Sequence, residues 1–287
     1  MATGATEFID HTTADVFLPE VWSAEAIIAR EQALVFANLV DRRFEEGLKY
    51  GDLIHVPSVG NLAARTKTLA SNAAITYETV TETNTDITVA TWEYAAIAVE
   101  DGLQVQANRD MLKLYAGKMG YALALAIDDV LAGLPDDFSN IVGTLAIENT
   151  DDELLRAIQY LDDANAPQEG RAFVFSPAGA IGLLKLDRFV HNDYSRLHGE
   201  MTTDFDRSYV TSFLTYPIYK STNVEGSNAV GHDNTLFQRQ ALALVMSMKP
   251  KTRHMYDIDY LVDKIAMEQL SGAREMRDDH GAFIRGA

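Results

Sequence analysis

Leu53-Ile54-His55-Val56-Pro57, Ile75-Thr76-Tyr77-Glu78-Thr79-Val80 and Ile87-Thr88-Val89-Ala90-Thr91-Trp92 carry the reading on which the fold turns. All three are Thr-rich and alternate apolar with polar residues, the period of a strand with one covered face. Ala70-Ser71-Asn72-Ala73-Ala74 supplies small, turn-forming residues between the outgoing and returning limbs. The simplest reading of 50–99 is one long antiparallel hairpin with its tip near Asn72. At about 3.3 Å per residue, limbs of about 20 residues project on the order of 60 Å. A lone two-stranded ribbon is marginally stable in water and leaves both edges unpaired, so something outside the hairpin must cover it. Arg65 and Lys67 on the outgoing limb, with Glu78, Glu82 and Asp86 on the returning one, can pair across the ribbon or reach a neighbouring subunit. A solvated strand pair within an ordinary sheet fits the same pattern.

On the N-terminal side, residues 1–20 have neither helical nor alternating periodicity and read as an extended arm. Ala24, Ile27, Ile28, Leu34, Val35, Leu39 and Val40 then recur at roughly helical spacing, with Ser23 as a cap, which predicts a short amphipathic helix within 21–40. Beyond the hairpin the period changes to 3.6. Met111, Tyr115, Met119, Leu123, Ile127 and Leu131 lie on one apolar stripe over 103–132, ended by Gly133 and Pro135. A helix of that length, about 40 Å, suits the backbone of an elongated subunit, although a core helix has the same pattern. Thr150-Asp151-Asp152-Glu153 is a capping box opening a second helix, Arg171–Phe175 is a short apolar strand, and Ser176-Pro177 starts a third helix. Residues 191–235 read as irregular, with Tyr216–Tyr219 extended and Asn223–Asn234 a surface loop. Ala241–Met248 alternates as a strand. Leu261, Val262, Ile265 and Gln269 fit a helix, while Tyr260, Val262 and Lys264 fit a strand.

The chain has 287 residues, with 24 Lys and Arg against 42 Asp and Glu, a net charge of −18. Such a surface does not neutralise a phosphate backbone, so broad, tight nucleic-acid binding is disfavoured. There is no cysteine, which excludes disulfides, thiolate catalysis and cysteine-ligated metals. The first residues lack a signal-peptide pattern, and no stretch reaches the ~20 apolar residues that cross a bilayer. We expect a protein of a reducing interior without a membrane partner.

Motifs for chemistry are sparse. Neither a dinucleotide fingerprint nor a P-loop is present, and the His residues are scattered, with no His-Glu-x-x-His helix. Ser58 lacks the Gly-x-Ser-x-Gly elbow. Asp204, Asp206, Asp257, Asp259 and His280 form the best metal candidate, for a metal-dependent hydrolase, and would have to converge on one ion at about 2.0 to 2.6 Å. The pairs Asp128-Asp129, Asp136-Asp137 and Asp162-Asp163 read as solvated helix ends. Lys249-Pro-Lys251-Thr-Arg253-His254 is the one concentrated basic patch, able to touch a phosphate or an acidic partner, and reads more simply as a loop. No catalytic, cofactor or metal residue is assigned.

The order arm, short helix, projecting hairpin, long helix, α/β lobe and return segment resembles the major capsid proteins of tailed bacteriophages, with the Hong Kong 97-like α+β fold. Phe17-Leu-Pro-Glu-Val-Trp22, Leu34–Val40, Gly51–Ser58, Ile75–Glu78, Tyr94–Asp101, Arg171–Pro177 and Asp187-Arg-Phe189 carry the likeness, which spans most of the chain. The resemblance implies an N-terminal arm and short helix over 1–32 and an extended loop over 44–92. It implies a peripheral domain over 93–140, with a spine helix, completed by about 247–275, and an axial domain over 141–246, completed by about 276–287. It also implies a non-enzymatic shell protein of the virion. Such a protein self-assembles in the host cytoplasm into hexamers and pentamers of an icosahedral shell around double-stranded DNA, by way of a procapsid that matures. Its partners would be a scaffolding protein, a portal protein, weakly and non-specifically contacted DNA, and in some members a decoration protein. No coiled-coil extension is seen, so a separate scaffold is expected. The intersubunit contacts it implies fall on Arg65, Lys67, Asn72, Tyr77, Glu78 and Glu82 of the loop and on Phe17, Leu18 and Trp22 of the arm. An encapsulin-like nanocompartment shell is the alternative within the same fold. A Lys–Asn–Glu cross-linking set does not map securely onto these residues, and cross-links are not expected.

Overall fold

The computed structural model describes residues 34–47, 51–60, 62–67, 74–80, 82–106, 111–186, 209–227 and 229–286. The expected arm, with Phe17, Leu18 and Trp22, lies outside the described residues, as does Asn72. Of the helix expected within 21–40, the described part is one turn, α1 (Phe36–Leu39).

The hairpin begins as its sequence predicts. β1 (Leu53–Val59) pairs antiparallel with β2 (Glu82–Thr88), from Leu53 opposite Thr88 to Val59 opposite Glu82. Farther out the ladder stops: 75–80, expected as a strand, forms none. The residues of 62–67 and 74–80 are exposed, so alternation there has no second layer to pack on, and packing is what sustains a strand pattern. The third predicted strand is divided. β2 ends at Thr88 and β3 (Thr91–Glu100) enters another sheet. At this root Ile87 and Val89 are buried with Ala243 and Val245, flanked by Phe44, Ile54, Val56, Leu270 and Met276. The crossing is close enough that a Cβ on Gly272 would stand 2.3 Å from the Thr88 carbonyl oxygen.

The helical stretch resolves into α2 (Asp101–Gln106) and the 23-residue α3 (Met111–Gly133), the latter about 35 Å long. α3 packs on a three-stranded sheet ordered β10 (Leu242–Asp257), β11 (Val262–Glu275), β3. The strand reading of the C-terminal segment is therefore the correct one. β10 runs well past Met248, with register shifts between Met246 and Lys251, where Pro250 has no N–H for a ladder. Lys249–His254 is thus strand, not loop. The fully buried Gln269 donates from Nε2 to Leu123 O at 2.8 Å and to Glu93 Oε2 at 2.6 Å, tying sheet to helix.

The remainder forms a seven-stranded sheet ordered β4 (Ile141–Gly143), β12 (Gly281–Gly286), β9 (Gly231–Gln238), β5 (Arg171–Phe175), β7 (Tyr216–Lys220), β6 (Tyr209–Phe213), with β8 (Gly226–Ser227) on β9. α4 (Asp151–Asp163) and α5 (Pro177–Leu183) start where their caps predict. Thr150 N–H donates to Glu153 Oε2 at 2.7 Å, and Ser176 Oγ accepts from Gly179 N–H at 3.0 Å. Leu154, Leu161, Phe173, Phe175, Ile218, Leu236 and Ile284 fill this core. The surface loop expected over Asn223–Asn234 is corrected: from Gly231 the chain is β9, an internal strand. Asn234 is fully buried because its Oδ1 accepts from Ser176 N–H at 2.7 Å and its Nδ2 donates to Asn149 Oδ1 at 3.4 Å; a satisfied amide can enter a core. A second core of Phe36, Ile127, Leu131, Phe138, Phe237, Leu242 and Leu244 joins the two sheets. No helix among the described residues is long and apolar enough to cross a membrane.

Candidate assembly surfaces

Among the described residues the ribbon packs against the body at its root, and its outer half offers side chains to solvent. Val59, Leu62, Ile75 and Tyr77 are exposed, Tyr77 to 84%. Arg65 Nη2 reaches Glu78 Oε1 at 2.8 Å, and Ala63 N–H donates to Glu78 Oε2 at 3.1 Å, so side chains join the limbs where the backbone ladder has ended. The Arg65 hydrogen bond, then the Ala63 N–H, holds the Glu78 carboxyl below its ordinary value. Nearer the root, His55 Nδ1 and Asp86 Oδ1 meet at 2.6 Å across the ladder. Lys67 and Glu82 are exposed. Of the expected loop contacts, the structure joins Arg65 to Glu78 within one chain and leaves Lys67, Tyr77 and Glu82 on the surface.

A second surface lies on the three-stranded sheet. Glu93 and Gln269 are paired in register and face α3, so by strand alternation Trp92 and Tyr94 face away from it. Trp92 is 68% and Tyr94 76% exposed. On the same face Tyr94 neighbours Glu268 and Lys251, Ala96 neighbours Ala266 and Arg253, and Ala98 neighbours Lys264 and Met255. A shallow depression lies among Ala96, Ala98, Met255 and Ala266. Arg253 Nε donates to Glu268 Oε1 at 2.6 Å. At the β10–β11 turn Met255, Ile258, Tyr260 and Leu261 are exposed. Sequence reading missed this surface: Trp92 and Tyr94 stood out as strand residues, but a period of two does not say which face a helix covers.

Of the acids expected to be solvated, Asp129, Asp136, Asp137, Asp162 and Asp163 are exposed, and Asp128 is the exception. Asp128 is fully buried on α3, and burial pushes its carboxyl up, against hydrogen bonds from Ala37, Asn223 and Val35 that pull it down. Asp136 is raised to about 7 by partial burial, then by the hydrogen-bonded Glu225 and the charges of Asp233 and Asp137. Asp162 Oδ1 accepts from Arg171 Nη1 at 2.7 Å.

The hydrolase cluster is not assembled. Asp257 and Asp259 lie at the β10–β11 turn, where Asp257 Oδ2 accepts from Lys264 Nζ at 2.6 Å. His280 lies beyond the far end of β11, about 40 Å away along that strand. Asp204 and Asp206 lie outside the described residues. Among the described residues no group of three or more His, Cys, Asp or Glu can hold a metal ion.

No family model and no curated protein matches the chain. Solved structures do match, over nearly the whole length of both partners. A chain of Mycobacterium phage Che8 is 22% identical at a TM-score of 0.76, covering 93% of this chain and 97% of its own. One from the capsid of cyanophage P-SCSP1u is 16% identical at 0.72, covering 96% and 94%. One from the mature capsid of bacteriophage PhiM1 is 15% identical at 0.69, covering 94% and 92%. At these identities the likeness is one of fold. This chain has the Hong Kong 97-like fold of tailed-phage capsid chains.

Proposed function

We propose that this chain is a non-enzymatic major capsid subunit of a tailed bacteriophage, assembling in the host cytoplasm into hexamers and pentamers of an icosahedral virion shell. The observation that carries the reading is agreement with capsid chains over nearly the whole length in a chain whose described ribbon residues 62–67 and 74–80 are exposed. Unpaired edges and exposed apolar side chains are liabilities in a monomer and become interface in an assembly. The domains follow: an arm over 1–32, an extended loop over 44–92, a peripheral domain over 93–140 with about 247–275, and an axial domain over 141–246 with about 276–287.

Exposed apolar side chains support one docking arrangement. The outer ribbon presents Tyr77 and Ile75 beside the paired Arg65 and Glu78, and the sheet face turned away from α3 presents Trp92, Tyr94 and Met255 beside Lys251 and the paired Arg253 and Glu268. A ribbon laid over this face of the next copy joins apolar side chains to apolar ones. A scaffolding protein, a portal protein and in some settings a decoration protein complete the set of partners. A subunit of net charge −18 makes few phosphate contacts, so double-stranded DNA is contained more than bound.

The test is expression of the chain alone and with a candidate scaffold, followed by sedimentation and negative-stain electron microscopy. Capsomers or closed icosahedral shells are expected. A compact monomer under both conditions overturns the proposal, and shells that consistently enclose an enzyme cargo move it to the nanocompartment alternative.

A further inference from the structure

The short helix α1 has no cap of its own: Val35 stands at its N-cap position and makes no side-chain hydrogen bond there. The missing acceptor comes from the long helix. Asp128 Oδ1 accepts from Ala37 N–H at 3.1 Å and Asp128 Oδ2 from Val35 N–H at 3.4 Å. Oδ2 also accepts from Asn223 Nδ2 at 2.8 Å, in the segment that leads to β8. One fully buried carboxylate therefore binds the first described segment, the long helix and the large sheet.

The surroundings show why these bonds matter. Beyond α1 the same segment is fixed to both sheets: Phe36 stacks on Phe237 of β9, with centroids 6.2 Å apart, and Asp41 N–H donates to Leu242 O of β10 at 3.0 Å while Asp41 O accepts from Leu244 N–H at 2.9 Å. On the other side packing is incomplete, because a groove of about 490 Å³ separates Leu125, Asp129 and Gly133 of α3 from Thr222, Val224 and Gly226. Val224 of this segment is buried in the second core with Ile127 and Leu131 of α3, and beside the groove the Asn223–Asp128 bond adds a polar tie to that packing.

We propose that Asp128 is a positioning residue for assembly: it fixes the root of the N-terminal segment against both sheets, so that the direction in which that segment leaves the subunit is coupled to how the sheets sit on each other. This rests on the capsid reading, in which that segment reaches neighbouring copies. Asp128 touches no neighbour itself and acts through Val35–Ala37 and Asn223.

Hydrogen exchange on the full chain tests the local part, whether or not the chain forms shells. In Asp128→Ala, exchange at Val35–Ala37 is expected to rise on the order of 10- to 100-fold, with the amides of α4 and β5 unchanged. Asp128→Asn keeps an acceptor for α1 and is expected to show a smaller rise. Asn223→Ala is expected to raise exchange at 222–226 alone, and it keeps the test open if Asp128→Ala does not fold. Under conditions where the wild type forms shells, Asp128→Ala is expected to give open or irregular particles and Asp128→Asn closed ones. Unchanged exchange at Val35–Ala37 in both Asp128 variants overturns the cap, and closed regular shells from an Asp128→Ala chain whose Val35–Ala37 exchange has risen overturn the coupling. If the wild type itself forms no shells, the capsid reading fails while the exchange result stands.

Discussion

Gly272→Ala probes the root of the ribbon with one carbon atom. The added Cβ would stand 2.3 Å from Thr88 O, 2.9 Å from Val89 Cα and 3.0 Å from Thr88 C, all backbone. Ordinary contact needs about 3.4 Å or more, so the strand crossing β11 must move by roughly 1 Å. Thr88 cannot yield alone, because Ile87 and Val89 flank it and are buried against Ala243 and Val245. Overpacking of this kind costs about 1 to 3 kcal/mol, or roughly 2 to 8 °C of melting temperature if the protein unfolds in one step. The displacement also pivots the ribbon, whose seven-residue β2 extends about 23 Å from the crossing. The expected result is a folded, less stable chain with impaired shell formation, read by calorimetry, sedimentation and electron microscopy. An unchanged melting temperature together with normal shells would refute the argument, since it would mean that the crossing has slack the geometry does not show.

Trp92→Ser with Tyr94→Ser should leave the melting temperature nearly unchanged, because both side chains face solvent; if they anchor an interface, each truncation costs about 2 kcal/mol and the concentration needed for assembly rises steeply, as sedimentation would report. Asp136→Asn should have a pH signature. The folded carboxyl titrates near 7 against an ordinary 3.8, so its stabilising contribution is complete below about pH 4 and is lost as pH rises through 7. Asn mimics the protonated form, and after solvent screening of this exposed side chain it should stabilise by roughly 1 kcal/mol at pH 8 and hardly at all at pH 4, which chemical denaturation at the two pH values checks. Arg171→Met removes a buried guanidinium that donates to Ala166 O at 2.6 Å, Pro167 O at 3.0 Å and Asp162 Oδ1 at 2.7 Å. Stranding those carbonyls should cost about 3 to 5 kcal/mol, and an unaltered denaturation midpoint would contradict that role.

The parts of the fold that are local were legible in the sequence. Thr150 with Glu153, and Ser176 with Pro177, mark helix starts because a cap is satisfied within a few residues of itself. What depends on distant partners was not. Asp128 and Asp129 look alike in sequence, yet one turn angle apart on α3 the first is buried under Val35–Ala37 and Asn223 while the second faces solvent. Asn234 reads as loop because it is polar, and it lies in a core because Ser176 and Asn149 happen to satisfy it. The outer limbs of the ribbon show the converse error. Their alternation is a strand pattern in search of a second layer, and the described residues do not supply it.

Charge gives the missing layer a direction. Two copies of net charge −18 repel, but beyond about 10 Å salt near 0.1 M screens most of that repulsion. Short-range contacts therefore decide whether copies associate, and those contacts must be apolar or of opposite sign. The helix-free sheet face offers both, with Lys251, Arg253 and Lys264 set around Trp92, Tyr94 and Met255. In the docking proposed above it meets the ribbon of the next copy, which exposes Tyr77 and Ile75. On the capsid reading proposed above, the acidity that limits contacts to a polyanion also favours association through exposed apolar surfaces.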